Sequence, residues 1–160
     1  MALPSHHYAR DALNAELHVQ VEVVEVVLPD VTPGHAWVTG RIARVFKGSQ
    51  GLLSARVTFE VPCLRDGDRP PPSGIRWRKA DELEQAVVVE AYLTLHEGRY
   101  QVAGYSTLLL EAVTDEPQRT FTEEQAQPDV PPKTRIRVGG VLLLGLLIAA
   151  VSLMAFFVLS

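Results

Sequence analysis

Few residues in this 160-residue chain have the types and spacing that chemistry requires. The five histidines are His6, His7, His18, His35 and His96, and none belongs to an H-E-x-x-H or mixed Cys/His arrangement. A metal centre needs several such ligands converging, so neither a metal nor a cofactor is expected. "RDGD" (Arg65 to Asp68) lacks the spaced oxygen ligands and closing Glu of a calcium loop, and reads as a turn. Cys63 is the only cysteine and excludes an intramolecular disulfide. It ends an alternating apolar stretch, which favours a buried, inert thiol over a nucleophile. There is no G-x-S-x-G elbow and no phosphate-cradling glycine loop. The chain reads as non-enzymatic, with no small-molecule substrate.

One local patch invites a binding role. In "IRWRK", Trp77 stands between Arg76 and Arg78, just after the proline-rich loop "LRDGDRPPPSG". A Trp flanked by Arg is the residue combination that anchors protein interfaces, which makes Arg76, Trp77 and Arg78 a candidate partner contact. The competing reading packs Trp77 over the mouth of a barrel and leaves the arginines in solvent.

The longest apolar stretch lies elsewhere. From Val138 to Leu159 run 22 residues without a charged side chain, an Asn or a Gln, and 14 of them are Val, Ile, Leu or Phe. A helix of that length spans roughly 33 Å at 1.5 Å per residue, against about 30 Å of bilayer hydrocarbon. Those 14 side chains favour insertion by about 4–8 kcal/mol before Gly and Ser subtract some. The run therefore reads as a transmembrane helix. Lys133, Arg135 and Arg137 precede it, and such a basic flank favours the cytoplasmic side. With no apolar export signal in "MALPSHHYARDALNAELHV", the expectation is a single-pass, tail-anchored membrane protein with its N-terminal domain in the cytoplasm. Gly145, Ala149 and Ser152 share one face of the helix at small-residue spacing and form a candidate helix–helix contact.

Charge and composition divide the remainder. Residues 1–132 carry 12 basic and 19 acidic side chains, a net charge of −7, which argues against a nucleic-acid partner. Residues 1–16 form an N-terminal segment compatible with a short helix. Residues 17–114 make up a β domain. Residues 115–137, rich in Pro, Glu, Gln and Thr and ending in the basic flank, read as a linker with little apolar surface to bury.

The β domain follows from alternation. "LHVQVEV" places Leu17, Val19, Val21 and Val23 on one face, with His18, Gln20 and Glu22 opposite; the phase then slips to Val24, Val26 and Leu28, as a bulge allows. "WVTGRIARVF" carries a mid-strand Gly40, which marks a close backbone approach or bend. "LSARVTFEVPC" alternates from Leu53 through Val61, "KADELEQA" favours a short helix, and "VVVEAYLTL" and "YQVAGYSTLLLEAV" flank the turn "HEGR". Five strands with a short helix between the third and fourth predict an all-β, OB-like Greek-key barrel.

"VTGRIARVFKG" followed by "RVTFEVPC" resembles the first strands of the netrin-module or tissue-inhibitor-of-metalloproteinases type of OB barrel, and small bacterial proteins of the same strand pattern. The likeness covers about Leu17 to Glu111. It implies the barrel, and not protease inhibition, because the N-terminal Cys and disulfide framework of those inhibitors are missing here. The reading that results is a membrane-tethered interaction barrel. Its partners are the lipid bilayer and a membrane-proximal protein. The alternative is an auxiliary subunit that assembles mainly through its transmembrane helix.

Overall fold

The alternating run after Glu16 forms β1 (Leu17–Val27), which returns through a proline- and glycine-containing turn as β2 (Gly34–Lys47). In this computed structural model, which describes residues 5–72 and 76–128, the two strands pair antiparallel with a register shift between Val23 and Glu25. That is where the apolar positions change parity. The extra residue, Val24, is 64% exposed, whereas Val23 and Val26 on either side both pack against the core. The bulge lets one strand serve the interior along both of its phases. Opposite it, Gly40 pairs with Val23. A Cβ at Gly40 would lie 2.2 Å from the Glu22 carbonyl oxygen and 2.5 Å from Val21 Cγ1, so only glycine permits the bend.

A single 3-10 turn (Gln50–Leu52) leads to β3 (Arg56–Leu64), antiparallel to β2. The strand starts later than its alternation implies. Ser54 sits at φ 65° with its N–H on the Ile42 carbonyl, which turns Leu53 outward to 49% exposure. A two-residue strand β4 (Arg78–Lys79) runs parallel to the end of β3 and feeds α2 (Ala80–Glu84). Asp81 and Glu82 lie in the first turn of α2, where the helix dipole favours negative charge. The hairpin β5 (Val88–His96) and β6 (Arg99–Leu110) closes through Glu97 and Gly98, both at positive φ, the pattern of a type I′ turn.

β5 pairs antiparallel with β1 as well as with β6, and β6 meets β3 in parallel at Phe59–Tyr100 and Glu60–Gln101. The circuit β1-β2-β3-β6-β5-β1 closes a five-stranded barrel. Its interior is filled by Val19, Val21, Val38, Phe59, Val61, Val89 and Leu93, all fully buried, with Leu83 of α2 closing the cluster. Each such side chain contributes about 1.5–3 kcal/mol by leaving water. The described interior is lined by apolar side chains, and the polar groups that could form a site lie on the outer face.

Two segments cover that outside. Helix α1 (Ser5–Asn14) packs on β6 at Gly104, whose φ is +60° and where a Cβ would lie 2.4 Å from the Tyr8 carbonyl oxygen. The stretch from residue 115 to 128 (the strap), expected from its composition to be part of a linker with little apolar surface to bury, instead lies against the barrel. Ala126 is buried, the Arg10 guanidinium donates to its carbonyl, and Phe121 meets Tyr92 edge-on with ring centres 5.5 Å apart. The reason is polar, not apolar, and belongs to the site described next. Residues 129–137 of the expected linker lie outside the described residues, as do Lys133, Arg135, Arg137, the 138–159 run and its Gly145, Ala149 and Ser152. Among the described residues no helix is long and apolar enough to cross a membrane.

Gly40→Ala is expected to destabilise the domain by about 3 kcal/mol, the upper end of overpacking costs, because the obstructing atom is backbone. A fall in the denaturant midpoint at unchanged m-value checks this.

Candidate functional site

β1 and β5 are neighbours in register, so His18 lies opposite Tyr92 and Gln20 opposite Glu90, all four on the outer face. Alternation alone would leave that face in solvent. It is buried instead: His18 is 4%, Gln20 0% and Glu90 2% exposed. The Glu90 carboxylate accepts from His18 Nε2 at 3.0 Å, Gln20 Nε2 at 2.8 Å, and the backbone N–H groups of Gln118 and Arg119, each at 2.9 Å. Gln20 also donates to Thr114 Oγ1 at 2.6 Å and accepts from the Thr114 N–H at 2.8 Å. Tyr92 stacks on the His18 ring with centres 3.9 Å apart, and its hydroxyl donates to the Arg119 carbonyl.

The charges follow from these contacts. Burial alone would raise the pKa of Glu90, but the bonds from Gln118, Gln20, Arg119 and His18 outweigh it and hold the carboxyl below its ordinary range. Burial lowers the pKa of His18 against the opposing pull of Glu90, so the imidazole is neutral near pH 7 and donates from Nε2. A carboxylate offers about four acceptor positions, and all four are filled. Glu90 therefore has no lone pair left for a substrate proton. The group clamps β1 to the backbone of Gln118 and Arg119.

A second feature is a cleft of about 420 Å³ beside α1. Pro62 has no N–H to offer a neighbouring strand. β6 accordingly leaves β3 after Gln101, and β4 joins β3 only from Cys63 onward. The split is lined by Asp11, His35, Glu60, Pro62, Gln101 and Gly104, among others. Gln101 donates to Glu60 at 3.4 Å, at the last paired position of the two strands. No three His, Cys, Asp or Glu side chains converge as a metal site among the described residues.

The patch singled out by sequence points in three directions. Arg76 is exposed, with its guanidinium 5.9 Å from the centre of the Tyr8 ring. Trp77 is half-buried and stacks on His35 at the edge of the 420 Å³ cleft, with ring centres 6.4 Å apart. Its indole N–H is enclosed with no hydrogen-bond partner. Arg78 is half-buried and not solvated: Nε donates to Thr107 Oγ1 at 2.9 Å and a terminal N–H to the Thr107 carbonyl. Thr107 lies on β6, so Arg78 bridges β4 to β6 behind the split and cannot serve a partner as freely as Arg76. Cys63 is fully buried, and burial pushes its thiol pKa up, away from reactivity.

Sequence reasoning did not find the His18–Gln20–Glu90 clamp or the Asp11–His35–Glu60 cleft. The one available signal was Glu90, an acid inside "VVVEAYLTL", but its partners depend on a register that no local pattern encodes. No family model matches the chain, and no curated protein matches its sequence.

Acid should weaken the fold in two steps. Because the folded-state pKa of His18 is lowered, the unfolded chain binds a proton first, so stability falls as pH drops below about 6.5. Glu90, also depressed, adds a second loss below about 4.3. His18→Gln is expected to abolish the first step while leaving the second. Glu90→Gln is expected to cost about 3 kcal/mol at pH 7, since it removes the charge that four donors share. Urea unfolding across pH 3.5–8 measures both.

Proposed function

We propose that this chain is a membrane-tethered, non-enzymatic interaction module whose barrel engages a membrane-proximal protein. The single observation that carries the tether is the uncharged 22-residue run of residues 138–159, preceded by Lys133, Arg135 and Arg137. By this reading the barrel stands on the cytoplasmic side. Interaction in place of catalysis is supported by the apolar barrel interior and by a Glu90 whose acceptor positions are all occupied. The split at Pro62, edged by the Trp77–His35 stack, offers the partner a recess with an aromatic rim.

The strand circuit, with α2 entering between the third and fourth long strands, supports an OB-like reading of the barrel. A second arrangement, assembly through the face of Gly145, Ala149 and Ser152, is favoured by their small-residue spacing.

Cys63 is buried, which leaves a clean background for topology mapping. Gln127→Cys, at an exposed position, should resist an impermeant thiol reagent in intact cells and react once they are permeabilised. Labelling in intact cells would overturn the cytoplasmic assignment. Trp77→Ala should weaken capture of the membrane partner by about 2 kcal/mol or more. Because the ring is only half-buried and its N–H unpaired, the stability loss should be smaller than the 3–5 kcal/mol typical of a fully buried Trp.

A further inference from the structure

A second, smaller cleft of about 300 Å³ lies on the other side of Gly104, lined by Ser5 and Tyr8 of α1, Arg76, and Arg119, Thr120 and Phe121 of the strap that Glu90 clamps. Its electrostatics run against those of the molecule. Residues 1–132 are strongly acidic, yet this cleft brings in two arginines and no carboxylate. Neither Arg76 nor Arg119 forms an ion pair with any acid among the described residues. Arg78 stands behind them: burial lowers its pKa first, Glu82 opposes that in part, and the charges of Arg119 and Arg76 lower it further. Three guanidinium groups thus share one neighbourhood, and like charges repel unless an anion sits between them.

The surroundings are arranged to hold this cluster. The Arg119 backbone is held in place, its N–H on Glu90 and its carbonyl on the Tyr92 hydroxyl. Arg76 is steered by the Tyr8 ring. Ser5, from the first turn of α1, and Thr120 also line the cleft. Gly104 lets the backbone of α1 approach β6 closely, which brings Tyr8 to the cleft. Guanidinium forks match tetrahedral oxyanions with paired N–H donors. A phosphoryl dianion answers two contacting guanidiniums and the field of a third better than a carboxylate of single charge does.

We infer that the cleft between α1, Arg76 and the 119–121 strap binds a phosphoryl group, free in solution or carried on a lipid headgroup. This assignment goes beyond the interaction reading and does not depend on it, since it rests only on residues of the barrel domain and its strap.

The test uses the full chain in neutral detergent, with thermal unfolding followed at fixed ionic strength. Inorganic phosphate should raise the melting temperature saturably, as a ligand of the native state does, and acetate should not. Arg76→Gln and Arg119→Gln should each raise the half-saturating phosphate concentration about tenfold or more. Both leave the clamp in place, because Arg76 is exposed and Arg119 contributes only backbone to Glu90. Arg44→Gln, at the exposed pair with Asp115, should leave phosphate binding unchanged. Short-chain phosphatidic acid separates the sources: half-saturation well below that of inorganic phosphate assigns a headgroup, and equal values assign a free phosphate. No saturable shift with either probe, an equal shift with acetate, or indifference to both arginine variants would overturn the inference.

Discussion

The arrangement outside the barrel depends on one buried carboxylate. Glu90 cannot be taken out of water alone, since an unpaired buried charge costs several kcal/mol. It is stable there because β1 supplies His18 and Gln20 from one side and the strap supplies two backbone N–H groups from the other. The strap is equally dependent. Its sequence has too few apolar residues to fold on hydrophobic burial, and it is ordered by donating to a charge. Each half satisfies a requirement of the other, which is why a segment with a linker's composition packs like part of the domain.

That clamp also sets what the surface can offer. By pinning the Arg119 backbone it places that residue on a cleft beside Ser5 and Tyr8 of α1, which Arg76 also lines. Pro62 acts on the other side of Gly104: by refusing a strand neighbour it opens the split where Trp77 and His35 stack. Two recesses with different chemistry therefore flank one glycine of β6. The split contains the carboxylates of Asp11 and Glu60, whereas the smaller cleft contains guanidiniums.

The barrel was largely legible in the sequence. Strict alternation at Leu17–Val23 and Val57–Val61, the parity slip at Val24, the bend at Gly40 and the turn at Glu97–Gly98 are local signals with local causes. The start of β3 was misjudged because Leu53 continues the parity, although the left-handed Ser54 turns it away. The outer face was illegible for a different reason. His18 and Gln20 look like solvent-facing residues until a strand from 70 residues downstream and a strap from beyond it are brought alongside. Burial of a polar residue is decided by its partners, and those were set by register. The fate of Arg78 was hidden in the same way, since Thr107 becomes its partner only once β4 has docked.

The strap also determines how the domain would carry a load. Tension on the chain beyond Pro128 would not act first on the barrel strands. It would pass through the Arg10–Ala126 bond and the Phe121–Tyr92 contact to the amides held by Glu90. These contacts lie one after another along the chain, so they would peel singly, each at modest force, instead of shearing together. The barrel ladders, closed on themselves, would feel the pull only after the carboxylate had let go. In mechanical terms the strap is a series fuse, and the amino acid that sets its rating is Glu90.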